Sequence, residues 1–164
     1  MKIIVLATFA VALGGCAQSA TMPLSADTMR ITTSAAPVCG STGAQNAAFR
    51  RAAVETINRG YDKFVILGGE AQNNVGVVGY TPVQANTTGS ATATGYGNMA
   101  VAHGQSTTTY SGGQPIIAGS HDQGLIVKMF KDGDPAGQNA LSAREQLGPK
   151  WQDAVRESGS TTCF

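Results

Sequence analysis

Residues 44–67 read AQNAAFRRAAVETINRGYDKFVIL, and the change of period within them decides the fold class. Phe49, Ala53 and Ile57 recur at helical spacing with Ala52 and Thr56 beside them, while Arg50, Arg51, Glu55 and Asn58 fall outside that stripe. Just upstream, Thr42 and Gln45 have the spacing of a capping box, in which each side chain satisfies an orphan amide at a helix start. Gly60 stands where a helix commonly ends in a left-handed residue. After it, Phe64 to Leu67 is an unbroken apolar run closed by Gly68-Gly69, which reads as a buried central strand.

Working outward, Thr28 to Ser34 is Thr-rich with apolar Met29 and Ile31, a first strand ended by Pro37 and a turn at Cys39-Gly40. Strand, helix and strand invite a right-handed crossover if the two strands lie parallel in one sheet. Asn74 to Tyr80 reads as a third strand reached through a turn at Gln72–Asn74, its glycines suggesting bulges. Leu125 to Phe130 is a fourth, closed by Asp132-Gly133. Asp134-Pro135 then looks like an N-cap with Pro at the first helical position of a helix Ala136–Leu147, stopped at Gly148-Pro149. A short last helix from Pro149 carries Trp151 and Val155 on one face. The expectation is α+β: a small two-layer domain with a mixed or antiparallel sheet of about four strands, two main helices, and a Gly/Thr-rich arm or loop.

That last feature is the oddest stretch of the chain. Between Glu70 and Asp122 there is no Asp, Glu, Lys or Arg, and Asn86 to Gly113 is dominated by Thr, Gly, Ala and Ser. Flexible disorder usually carries charge or Pro, and this span carries little of either. Alternation such as Ala91-Thr92-Ala93-Thr94 fits a two-stranded arm turning near Gly95–Asn98; a pliant polar loop is the other reading. Tyr80, Tyr96 and Tyr110 are a candidate interaction surface, since Tyr supplies contact area at small entropic cost; packing on the arm itself is the alternative.

The first fifteen residues, MKIIVLATFAVALGG, place Lys2 before an uncharged apolar run and then small residues, the layout of a secretory signal. The run is too short for a bilayer span, which needs roughly 20 apolar residues. Leu13-Gly14-Gly15-Cys16 resembles the lipobox of bacterial lipoprotein precursors. The resemblance implies a thiol carrying a diacylglyceryl group, cleavage just before Cys16, and acyl (palmitate-type) chains that anchor the protein to a membrane. Ala17, where such lipoproteins carry Asp when retained at the inner membrane, implies the outer membrane, facing the periplasm. Expected boundaries are a signal peptide over 1–15, a lipidated N-terminus and tether over 16–27, and one domain over 28–164 with a low-complexity insertion at about 82–120. Removing Lys2 leaves Lys/Arg and Asp/Glu equal in number, so the mature chain has no electrostatic footprint for nucleic acid. With Cys16 spent on lipid, Cys39 and Cys163 remain, and an oxidising compartment favours joining them. A loop of roughly 124 residues closed this way contributes about 4.8 kcal/mol in the chain-entropy picture.

Catalytic and metal chemistry is thin. His103 and His121 are the only imidazoles, neither in a ligand spacing, so no metal or cofactor is expected. Ser120-His121-Asp122 juxtaposes triad residue types, but triad groups converge from separate segments, so the tripeptide reads as a turn before the fourth strand. No G-x-S-x-G elbow or P-loop is present. Asp62 and Glu70 bracket the central strand; a catalytic carboxylate pair is weighed against the commoner solvated strand ends.

At AVETINRGYDKFVI (53–66) the chain resembles a loose set of small proteobacterial envelope lipoproteins, in which a lipobox precedes a strand, an Ala-rich helix ending near Gly-Tyr-Asp, and an apolar strand. Ala53–Ile66, Leu125–Phe130 and the helix after them carry the likeness, which implies fold and location but no substrate. Together these readings describe a membrane-anchored, non-enzymatic envelope protein with a structural or interaction role and an envelope protein as partner. The alternative is a periplasmic binding module for a small ligand or cell-wall component, and a hydrolase stands third.

Overall fold

A computed structural model describes residues 16–157 and 161–162. The signal sequence over 1–15, with Leu13, Gly14 and Gly15 of the lipobox, and Cys163 lie outside them. The described chain divides into two compact units, one formed by the residues up to Val75 and from Gly119 onward, the other by Gly76–Ala118. The insertion therefore begins and ends a little earlier than the 82–120 expected.

The first unit is α+β. Its strands are β1 (Cys16–Pro23), β2 (Thr28–Ala35), β3 (Lys63–Asn73), β8 (His121–Phe130), β9 (Leu141–Ser142) and β10 (Thr161–Thr162). They form one six-stranded sheet in the order β10-β1-β2-β8-β3-β9, every pairing antiparallel. The count exceeds the four expected for two reasons. The stretch after Cys16, expected as a tether, is β1, paired with β2 from Ala17↔Ala35 to Pro23↔Met29. Small and polar residues there pair as readily as they solvate. β9 and β10 are two-residue additions at the edges, below what periodicity can signal. β2 and β3 both run antiparallel to the β8 between them, so they are parallel to each other with β8 inserted into the expected crossover.

Helix α1 (Gly40–Asn58) covers one face of this sheet. Its buried positions are mostly Ala44, Ala47, Ala48, Ala52 and Ala53, whose small side chains let the helix lie close against Met29, Ile31, Val127 and Met129. Phe64 is fully buried, and the Phe49 ring meets it edge-on with centroids 5.4 Å apart. Thr56 is buried too, its hydroxyl donating to the Ala52 carbonyl. Burying one Phe or Met side chain contributes roughly 1.5–3 kcal/mol, so a few large residues set against an alanine floor supply most of the apolar stabilisation. The expected Thr42–Gln45 capping box is absent: α1 starts at Gly40 without a side-chain cap, after a 3-10 turn over Pro37–Cys39.

β3 corrects another expectation. It continues through Gly68-Gly69 to Asn73, and a register shift between Ile66 and Gly68 places Leu67 in a bulge. Of the apolar run only Phe64 is buried: Val65 points to the uncovered face, and Ile66, on the helix side opposite Val127, is left exposed beside a cavity lined also by Gln45, Asn46 and Phe49. Asn74–Tyr80 is no third strand of this sheet: β4 (Gly76–Tyr80) belongs to the second unit. The helix expected over Ala136–Leu147 is broken into a 3-10 turn (Pro135–Gly137), β9, and α2 (Ala143–Leu147). Asp134 caps as expected, accepting from the Ala136 amide, yet Ser142 caps again eight residues on and restarts the helix. α3 (Trp151–Arg156) buries Ala154, with Trp151 and Val155 half-buried.

The second unit is all β. β4 pairs with β7 (Pro115–Ala118), and β5 (Gln84–Tyr96) pairs with β6 (Met99–Ser111). Between the two pairs Thr81 donates its amide to Gln114 and accepts from Gly113, so the two ladders follow one another along the chain as a ribbon. Its tip turns at Gly97, which has φ 61°. At roughly 3.3 Å per residue, β5 alone spans on the order of 40 Å.

Candidate interaction site

Register defines what each end of the first unit displays. Ala17, Ala35, His121 and Asn73 stand in one row across β1, β2, β8 and β3. Cys16 is one residue beyond Ala17, and the chain leaves and re-enters this unit at Val75 and Gly119, just past the same row. With neighbouring strands about 4.8 Å apart, Cys16 and the exit from β3 are separated by three strand spacings, roughly 14 Å. The exit is tightly closed: the Asn74 amide donates to the Ser120 carbonyl at 2.9 Å. Gly119 has φ 116°, and a Cβ there would fall on the carbonyl oxygen of Asn74, so only glycine fits.

Cys39 packs on this end among Ala17, Ala35, Ala44 and Ala47. It is disulfide-bonded. β10 runs beside β1 with Ala17↔Thr161 and Cys16↔Thr162, which brings Thr161 to the same row.

His121 and Asp122 are the first residues of β8 rather than a turn, and adjacent strand residues face opposite ways. His121 shares the helix-covered face with Gln123 and Leu125, its Nδ1 buried without a hydrogen-bond partner among the described residues. Asp122 lies on the other face. The hydroxyls of Ser34 and Ser120, then the Asn74 amide at 2.7 Å and the neighbouring His121, hold its carboxyl below the usual carboxylate range. Ser120 reaches Asp122, but among the described residues no hydrogen bond links His121 to either, so the three form no relay. The carboxylates Asp62 and Glu70 are likewise not brought together. Asp62 binds Arg144 at 2.9 Å and accepts from the Asp132 amide, tying the start of β3 to α2. Glu70 pairs with Arg30 across Gly124, beside a shallow cavity of about 200 Å³ lined also by Gly68, Gly69 and Ile126. Among the described residues no three His, Cys, Asp or Glu converge on a metal-sized site, and no helix is long and apolar enough to cross a membrane.

The ribbon is different in kind. Every residue of β5 and of β6 is exposed, on both faces. Tyr80, Tyr96 and Tyr110 are each more than two-thirds exposed. They do not form a cluster: Tyr96 pairs with Met99 at the tip, and Tyr110 pairs with Ala85, eleven residues down β5 and so about 36 Å away. Tyr80, opposite Pro115, belongs to the β4–β7 pair. His103 sits mid-ribbon opposite Thr92. The register runs from Gln84↔Ser111 to Tyr96↔Met99 without a bulge, and a Thr87–Thr108 hydroxyl pair at 2.8 Å crosses it. Sequence reasoning singled out the tyrosines and weighed a two-stranded arm against a pliant loop; the continuous uncharged backbone edges are the larger feature. No protein-family model matches the chain, and no curated protein or solved structure is significantly similar to it.

Proposed function

We propose that the chain is a lipid-anchored bacterial envelope protein, non-enzymatic, that engages an envelope partner through its uncharged ribbon. The observation that carries the reading is the exposure of all of β5 and β6 without one charged side chain. A two-stranded ribbon is only marginally stable alone, so a partner that covers it is a natural source of its order. In this reading the ribbon is an arm. The lipobox resemblance supports acylation of Cys16 and, with Ala17, a place on the outer membrane facing the periplasm. Since β1 begins at Cys16, acylation there would hold the sheet against the bilayer surface with no intervening linker. Spending Cys16 on lipid leaves Cys163 as the partner of Cys39, and the approach of β10 to β1 supports that bridge.

Three measurements test this. The intact mass of the purified protein is expected to match a chain beginning at an acylated Cys16; retention of the initiating Met, or a bare Cys16, overturns the anchor. Two thiols are expected to become alkylatable only after reduction. In-cell crosslinking is expected to capture neighbours that are lost when Asn86–Gly113 is deleted; neighbours unchanged by the deletion overturn the arm's role. A second reading, a binding module for a small ligand or cell-wall component, has the cavity beside Arg30 and Glu70 in its favour. Saturable binding of a cell-wall fragment, abolished by Arg30→Ala, would favour it.

A further inference from the structure

Open sheet edges are templates for another strand, and proteins usually blunt them with lysine, proline, bulges or short strands. The base of the ribbon does so: the β4–β7 pair is short, has a register shift between Val77 and Gly79, and ends at Pro115. The outer part does not. β5 and β6 are each thirteen residues long, with no proline, no charged side chain and an unbroken register, so each presents one long unpaired row of backbone amides and carbonyls.

We propose that the occupant of those edges is the ribbon of a second copy of this chain, paired strand to strand. The inference rests on the interaction role proposed above and names the partner. Charge argues for it. A partner surface rich in ionised groups would lose water against the ribbon without meeting a counter-charge, because residues 71–121 contain no Asp, Glu, Lys or Arg. A second ribbon has equal length, equal twist and equal neutrality, so nothing repels and every edge group meets its complement. Threonine rows of the kind that already join Thr87 to Thr108 can extend across such a pairing. A two-fold arrangement, the commonest symmetry of homo-oligomers, closes the contact. Copies anchored in one membrane meet at raised effective concentration.

The test uses the full-length lipidated protein. Ser90 in β5 and Gln105 in β6 face each other mid-ladder, and each is exposed. Ser90→Lys and Gln105→Lys are made singly, each with its Glu counterpart, and self-association is measured by sedimentation in detergent. The wild type is expected to associate, with at least one Lys variant weakened tenfold or more. An equimolar mixture of that variant with its Glu counterpart is expected to restore association, which a merely misfolded ribbon would not do. A wild type that stays monomeric, or association that neither Lys variant moves, overturns the proposal. A photo-crosslinking residue at Thr92 in cells separates this inference from the reading beneath it. Adducts of twice the chain mass support self-pairing. Adducts only to another envelope protein overturn self-pairing and keep the interaction role, and no adduct at all overturns both.

Discussion

The sheet under α1 and the ribbon are both antiparallel, yet they are stabilised by different physics. Along β2 every second residue is buried, from Met29 through Ile31 and Thr33 to Ala35, because α1 covers that face. Along β5 and β6 no residue is buried. The first sheet is held by apolar area; the second relies on ladder hydrogen bonds and cross-strand pairs, each pair adding roughly 0.2–1 kcal/mol. Backbone pairing alone does not make a core.

The comparison breaks most sharply with truncations of equal kind. Phe64→Ala is expected to cost the first unit about 3–5 kcal/mol in urea unfolding, as large-to-small changes in closed cores do, whereas Tyr96→Ala is expected to shift the same transition by less than about 0.5 kcal/mol. Equal effects would mean that the tip is buried in solution. Next in size is overpacking. A Cβ at Gly137 would come within 2.7 Å of the Phe130 Cβ, so Gly137→Ala is expected to lower stability by about 1–3 kcal/mol; no loss in a thermal melt would show that the Pro135–Gly137 turn yields freely.

Acid titration sharpens the contrast further. The hydroxyls of Ser25 and Thr28, with Lys128 nearby, hold Asp27 below its ordinary carboxylate value, as Ser34 and Ser120 do for Asp122. A depressed carboxylate stabilises the fold above its unfolded pKa, and that contribution fades as pH falls through the lower folded pKa. The first unit is therefore expected to weaken as pH drops below about 3.8, the ordinary value. Asp122→Asn is expected to flatten that dependence, and an unchanged slope would remove the Ser34 and Ser120 contacts from consideration. The ribbon, with no carboxylate, contributes nothing to this slope. The smallest effect expected is from removing the ribbon altogether. With Gly76–Ala118 replaced by a tight turn, the Asn74–Ser120 hydrogen bond still closes the junction, and urea unfolding of the first unit is expected to move by less than about 0.5 kcal/mol. A collapse of the fold would show that the two units stabilise each other.

Where periodicity met a covered face, the sequence was readable. α1 and the end of β8 showed their pattern, since apolar spacing records which side is covered; the apolar run at the start of β3 marked a strand but overstated its burial. Failures fell where another force decided. β1 lacked apolar alternation because its helix-facing residues are Ala17, Ser19 and Thr21, with Ser19 and Thr33 joined by hydroxyls at 2.7 Å. β9 is placed by its pairing with β3, which the local pattern of Ala136–Leu147 could not report. The restart at Ser142 was hidden by a good cap at Asp134. As for the candidate site, the charge-free span was legible from composition. That His121 and Asp122 point oppositely, and that Cys16 and the ribbon's junction share one row, required the register.

That shared row has a mechanical meaning. A load applied at Cys16 and resisted at Val75 or Gly119 pulls on β1 and on β3 or β8, two or three strands away, from the same end of the sheet, so the ladders between them open like a zip, one rung after another, instead of shearing all at once. Tension in that direction meets Ala17↔Ala35 first. Cys39, itself disulfide-bonded, packs against those two alanines at that first rung.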